Sequence, residues 1–256
     1  MSMTVNSIAN SQLQSSFQSL ATGKQINSAS DNAAGLAIAE TILAETKGLE
    51  QGMRNTQHMN DLVSTAEGGL STISDSLSRV RELTLQAGNG ILNDSDKAII
   101  QGEIDQILEG IDHQVSSVQY NGQNLLDGSF ADKNTASGSD GTGQQISIPS
   151  VSVSSLNLSG YSVTGSTDLD AIDNAISQVS SARADLGATS NRLSSTYESS
   201  SVTSMNLASS RSRIVDTDMA KASSDAARAS LLEQYQISMQ RNQQEAMKNK
   251  ATGILT

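Results

Sequence analysis

Apolar residues recur along most of this chain at steps of three and four, the spacing that lines up one face of an α-helix. Val5, Ala9, Leu13, Phe17 and Leu20 form the first such stripe, and Thr22-Gly23 ends it with a residue suited to the turn after a helix. A polar loop runs to Ser30, and Asp31 is expected to cap the next helix. From there to Ala87 the interruptions are isolated glycines and the pair Gly68-Gly69. Within that stretch Val63, Ala66, Leu70, Ile73, Leu77, Val80, Thr84 and Ala87 alternate steps of three and four, the period of a coiled-coil seam. A single helix over 31–88 would be roughly 85 Å long at about 1.5 Å per residue, too long to fold back into a globule.

Gly88-Asn89-Gly90 stops this helix, and Asn93-Asp94-Ser95-Asp96 starts another with a cap and acids in its first turn. Ile100, Ile104, Ile107, Ile111, Val115 and Val118 give its apolar stripe, and the short connection predicts that it runs antiparallel to its predecessor. The pattern then changes. Asn121-Gly122 signals a turn, residues 132–145 have no period, and Ile146 to Ser154 alternates apolar residues with Ser, which predicts a strand. Helical period returns at Leu169, Ile172, Ile176, Val179, Arg183, Leu186, Leu193 and Tyr197. A last amphipathic segment follows Asp216-Thr217-Asp218 and uses Ala222, Ala229, Leu232, Tyr235, Met239, Ala246 and Met247. The expected fold is mainly α: long antiparallel helices in a rod-shaped bundle, with a small β region in the middle.

Composition sharpens this picture. With four Tyr, two Phe and no Trp, the chain lacks the aromatics of a compact globular core. A net charge of −11 argues against nucleic-acid binding, which needs clustered Lys and Arg. The charge is also uneven, because Lys24 and nothing else ionisable occurs before Asp31. Such a segment packs against copies of itself without stranding charges. Helices of this length and Ser/Asn/Gln content are marginal alone, so both chain ends are expected to order on assembly. No disulfide is possible without Cys, no apolar run is long enough to span a bilayer, and the N-terminus lacks the basic and apolar regions of a general secretory signal.

No constellation suggests catalysis, a metal or another cofactor. His58 and His113 are the two histidines, they form no His-Glu-x-x-His motif, and both are read as helix-surface residues. Asp94, Asp96, Glu103 and Asp105 lack the ligand spacing and turn glycine of a calcium loop, and the first two are explained by helix-start electrostatics.

Several segments resemble bacterial flagellins. Leu20-Ala-Thr-Gly-Lys-Gln-Ile-Asn-Ser-Ala-Ser-Asp-Asn-Ala-Ala-Gly35 is similar to the family's N-terminal signature. Arg79-Val-Arg-Glu-Leu-Thr-Leu-Gln-Ala-Gly-Asn-Gly90 resembles its rod-helix motif, and Tyr120-Asn-Gly-Gln-Asn-Leu-Leu-Asp-Gly128 resembles the start of its β region. Asp185-Leu-Gly-Ala-Thr-Ser-Asn-Arg192 and Arg211-Ser-Arg-Ile-Val-Asp-Thr-Asp218 are similar to its C-terminal signatures. The segment before Leu20 is shorter than in most relatives, Ser19 and Gln25 stand where relatives often carry Arg, and the chain closes on a variant ending, Gly253-Ile-Leu-Thr256.

The resemblance implies a non-enzymatic subunit that polymerises into the helical filament of an extracellular flagellum and serves motility. A hook–filament junction protein of the same architecture is the alternative, and a monomeric coiled-coil binding module a more distant one. The resemblance also implies a division into domains. Residues 1–30 and 211–256 would form an inner tube of paired terminal helices, with a seam of Val5, Leu13, Phe17, Leu20, Leu232, Tyr235 and Met239. Residues 31–118 and 168–210 would be the halves of a rod domain, and 119–167 a small β region. Arg79, Arg81, Glu82, Leu83, Gln86 and Glu103 would make subunit contacts and be recognised by host Toll-like receptor 5. Arg79 and Leu83, four apart, are expected on one exposed face, with Glu103 alongside on the returning helix. Further implied partners are copies of the chain itself, an export chaperone and the flagellar export apparatus, and the filament cap and hook-junction proteins. No nucleic acid and no membrane insertion are implied. Ser and Thr of 132–167 are either O-glycosylated, as in some relatives, or part of a merely solvated linker.

Overall fold

The computed structural model describes residues 13–165 and 168–254. Helix α1 is helical over residues 13–22. It is followed by α2 (Ala29–Ala87), α3 (Asp94–Ser117), α4 (Leu169–Val215) and α5 (Met219–Ile254). Between α3 and α4 lie four short strands, β1 (Gln119–Tyr120), β2 (Gln123–Asn124), β3 (Lys133–Ala136) and β4 (Gly143–Ile146). They pair as two antiparallel hairpins, β1 with β2 and β3 with β4. The chain divides into two compact units. A terminal unit comprises Met1–Ala44 with Met205–Thr256, and a central unit comprises Glu45–Ser204.

In the central unit the seam of α2 is the core. Val63, Ala66, Leu70, Ile73, Leu77, Val80, Thr84 and Ala87 are all buried, and Thr84 returns its hydroxyl to the Val80 carbonyl at 2.8 Å. Asn93 caps α3 through a reciprocal box: its side chain accepts from Asp96 N–H at 2.9 Å, and its own N–H donates to the Asp96 carboxylate at 3.2 Å. Helix α3 returns antiparallel to α2. Arg79 meets Glu103 at one level, and about three turns further back along α2 a Cβ on Gly69 would stand 2.7 Å from Val118. Helix α4 is also antiparallel to α2, since Arg81 meets Asp173, Glu67 meets Arg183 and Asn60 bonds Ser190. Two stripe positions shift. Leu108 is buried while Ile107 is half-exposed, and Ala182 takes the core position expected of Arg183.

The middle segment departs from the expected strand. Ile146, Ile148, Val151 and Val153 are buried in the alternating pattern, but strand geometry stops at Ile146. Pro149 has no N–H to give a ladder, and the chain is held instead by single bonds, Ile148 N–H to Phe130 O at 3.2 Å and Val151 N–H to Leu126 O at 3.0 Å. The aperiodic 132–145 stretch forms the β3–β4 hairpin. Helix side chains fasten this segment by its main chain. Asn55 Nδ2 donates to Ala136 O at 2.8 Å, and Asp112 Oδ1 accepts from Val153 N–H at 2.9 Å. Gln101 grips two points, donating to Tyr161 O at 2.9 Å and accepting from Val163 N–H at 2.7 Å.

In the terminal unit α1 ends at Gly23, whose φ of 70° is open to glycine and whose N–H bonds Ser19 O at 2.9 Å. The following loop zips onto the α4–α5 junction. Gln25 N–H donates to Val215 O at 2.7 Å, Thr217 N–H donates to Gly23 O at 2.9 Å, and Ile26 is buried. Asp31 does not cap α2. Its carboxylate accepts from Asn27 and Ser28 N–H at 2.9 and 2.8 Å and closes the loop. The cap is Asn32, whose extended backbone (φ −163°, ψ 94°) interrupts α2 and whose Oδ1 accepts from Gly35 N–H at 2.8 Å. Asp218 caps α5 through Ala220 and Lys221 N–H at 2.9 and 3.1 Å.

Candidate assembly surfaces

Two surfaces carry the residues singled out by sequence. The first lies on the central unit. Arg79 Nη2 contacts Glu103 Oε1 at 2.8 Å and Arg79 Nη1 contacts Glu82 Oε2 at 3.1 Å, with all three side chains about half exposed or more. Hydrogen bonding to Glu103, then to Glu82, raises the Arg79 pKa above its ordinary value. Arg81 points the other way, to Asp173 Oδ1 at 2.6 Å, and that bond holds the Asp173 carboxyl below the usual range. Exposed pairs of this kind add little stability, so their value is in fixing a planar guanidinium at the surface. Gln86 is exposed beside them.

Leu83 is a correction. It is 1% exposed and belongs to the core, so it does not share the exposed face of Arg79. Helix α2 packs on both α3 and α4, which widens its buried stripe beyond the narrow seam and takes in Leu83. The acidic residues weighed as a cation site are each otherwise engaged or exposed: Asp96 in the cap, Glu103 with Arg79, and Asp105 accepting from Gln101 Nε2 at 2.7 Å. His58 is exposed, and His113 is exposed with Glu109 4.0 Å away.

The second surface is α5. Leu231, Leu232, Tyr235 and Met239 fall within about 100° of one another around the helix. They are 64%, 58%, 63% and 42% exposed. On α1, Leu13 and Leu20 are half-buried and Phe17 is 53% exposed. Val5 lies outside the described residues. A soluble chain rarely leaves a row of large apolar side chains open unless another surface covers it. Leu231 was missed by the seam pattern, although it adjoins Leu232.

Both ends of the chain match one family. Residues 1–131 match the bacterial flagellin N-terminal helical region, and residues 169–249 match the bacterial flagellin C-terminal helical region. The chain belongs to the bacterial flagellins. This flagellin is 34% identical over 253 residues to the flagellar filament 30.7 kDa core protein of Treponema maltophilum, covering 91% of this chain and 88% of that protein. It is 36% identical to the flagellin of Bacillus subtilis, covering 92% and 91% respectively. Among solved structures it is similar to Bacillus cereus flagellin, at 28% identity and a TM-score of 0.50, covering 57% of this chain and 88% of that one. The zipped 23–27 loop and the α2 motif of this flagellin both fall inside the N-terminal match, and the α4–α5 junction falls inside the C-terminal one.

Proposed function

We propose that this flagellin is a structural subunit of a flagellar filament, polymerising through its terminal helices and serving motility without catalysis. The observation that supports this most is the open apolar row on α5, Leu231, Leu232, Tyr235 and Met239, at the end of a chain matched by flagellin regions on both sides. Copies of the chain cover such rows by seam-to-seam packing. Residues 1–30 and 211–256 form the inner part of the filament in this reading, 31–118 and 168–210 the rod, and 119–167 its β region. The filament reading is favoured over a hook-junction one because relatives matched over most of their length are filament core proteins and flagellins.

The finer reading follows the same logic. The subunit leaves the cell through the flagellar export apparatus with its C-terminal helix held by a chaperone, and joins an extracellular filament bounded by cap and junction proteins. The exposed Arg79–Glu82–Glu103 cluster with Gln86 serves subunit contact and recognition by Toll-like receptor 5, while Leu83 supports it from the core. Seeding purified protein with filament fragments and imaging by electron microscopy tests the main reading. Elongation is expected from the full chain and not from a chain lacking residues 230–256. Normal filaments from the truncated chain would overturn it. A receptor-reporter assay on monomer tests the cluster, and an unchanged signal from Arg79→Ala and Glu103→Ala would remove the receptor from the reading.

A further inference from the structure

The two units differ sharply in charge. The terminal unit holds eight Lys and Arg against seven Asp and Glu, whereas the central unit holds eight against twenty. The cations of the terminal unit are also placed to act. A groove of about 480 Å³ opens within it, lined by the apolar Ile26, Leu36, Leu43 and Val215 and by the cations Lys24 and Arg211. Arg211 Nε is enclosed and has no acceptor. Among the described residues neither Lys24 nor Arg211 takes part in an ion pair, although Glu40 lines the same groove. An enclosed guanidinium N–H without an acceptor is costly unless a carboxylate or similar group reaches it.

We infer that this groove receives carboxylates from the central unit of a second copy of the chain, a head-to-tail electrostatic contact within the assembly. The inference rests on the filament reading and adds to it a specific pair of surfaces. A nearly neutral, cation-lined terminal unit and a strongly acidic central unit are complementary between copies. Contacts between like units rest on the apolar rows and on the Arg79 cluster, and net charge favours in addition a contact between unlike units. A contact between two different patches is heterologous, and heterologous contacts propagate into open helical assemblies rather than closing into dimers. Among the described residues, carboxylates without ion pairs are at hand on the central unit, Asp170 and Asp185 on α4 among them.

Zero-length carbodiimide cross-linking of seeded filaments, grown from a mixture of isotopically light and heavy subunits, tests the contact. Lys24 is expected to be joined to an Asp or Glu within 45–204 of a different copy, read as a mixed-isotope peptide by mass spectrometry. Arg211→Gln is expected to slow seeded elongation about tenfold at low salt and to flatten its salt dependence, with monomer melting unchanged. Arg211→Lys, which keeps the charge, should restore part of the rate. Filaments whose Lys24 is unlinked, or linked within its own copy, would overturn the inference while leaving the filament reading intact. So would Arg211→Gln elongating at the wild-type rate with the wild-type salt dependence. Failure of the wild type to elongate at all would instead overturn the filament reading.

Discussion

One substitution made twice in the same helix is expected to have opposite signs. Gly52 and Gly68 both lie in α2. An alanine methyl at Gly68 meets nothing within 4 Å, so Gly68→Ala gains helix propensity alone, about 0.5–1 kcal/mol. At Gly52 the same methyl would stand 2.1 Å from Ser137 O and 2.7 Å from Ser137 C, at the tip of the β3–β4 hairpin. Both obstacles are main chain, so no rotamer relieves them and the hairpin must move. Overpacking of this kind costs about 1–3 kcal/mol. The displaced hairpin also loses the 2.8 Å bond from Asn55 Nδ2 to Ala136 O, worth about 1 kcal/mol. Less the propensity gain, Gly52→Ala should destabilise by roughly 1–3 kcal/mol. At about 2–4 °C per kcal/mol for a chain of this size, thermal melts by circular dichroism separate the two variants by several degrees. Equal shifts, or a stabilised Gly52→Ala, would refute the docking of the hairpin on α2.

Three further outcomes follow from the central and terminal units. Leu77 is fully buried, so Leu77→Asp should cost about 3 kcal/mol or more in urea unfolding, while Arg81→Ala should leave melting nearly unchanged; comparable losses would contradict this packing. Gln101→Ala strands Tyr161 O and Val163 N–H and should cost about 1–3 kcal/mol, with amide exchange quickening at Val163; an unaltered Val163 rate would show that Gln101 does not hold this segment. Asp31 is depressed below its ordinary 3.8 by bonds from Asn27 and then Ser28. A depressed carboxyl contributes fully above its unfolded value and loses that contribution as pH falls through its folded value. Protection of the Asn27 and Ser28 amides should therefore be flat at neutral pH and fall away below about pH 4, with Asp31→Asn showing no such fall.

Much of this architecture was legible because its signals are local. The Asn93–Asp96 box fixed where α3 begins, and the three-four alternation from Val63 to Ala87 named the buried face of α2. What escaped was set by neighbours. Asp31 and Asn32 are both capping residues, and the choice fell to Asn32 only because Asp31 is drawn back onto Asn27 and Ser28. Leu83 shares a helical face with Arg79 by spacing alone, and becomes core because two helices flank α2. The alternation from Ile146 to Val153 reports one buried side of an extended chain, which Pro149 keeps from pairing as a strand. Asp173, the partner of Arg81, had no sequence signal, since the two are 92 positions apart.

The middle of the chain is gripped by Asn55, Gln101 and Asp112 through peptide groups, which are the same whatever residue bears them. The burden of recognition therefore sits on three helix side chains, while the exposed side chains of the gripped segment are left unconstrained by these bonds. Replacements at exposed serines of that segment leave every grip intact, whereas a change at a gripping residue loosens the segment locally while its buried Ile146, Ile148, Val151 and Val153 stay in the core. Natural variation in a lineage of such chains should therefore accumulate at the exposed side chains of the gripped side, which turns a stretch of sequence without helical period into a surface able to diverge without loss of its seat.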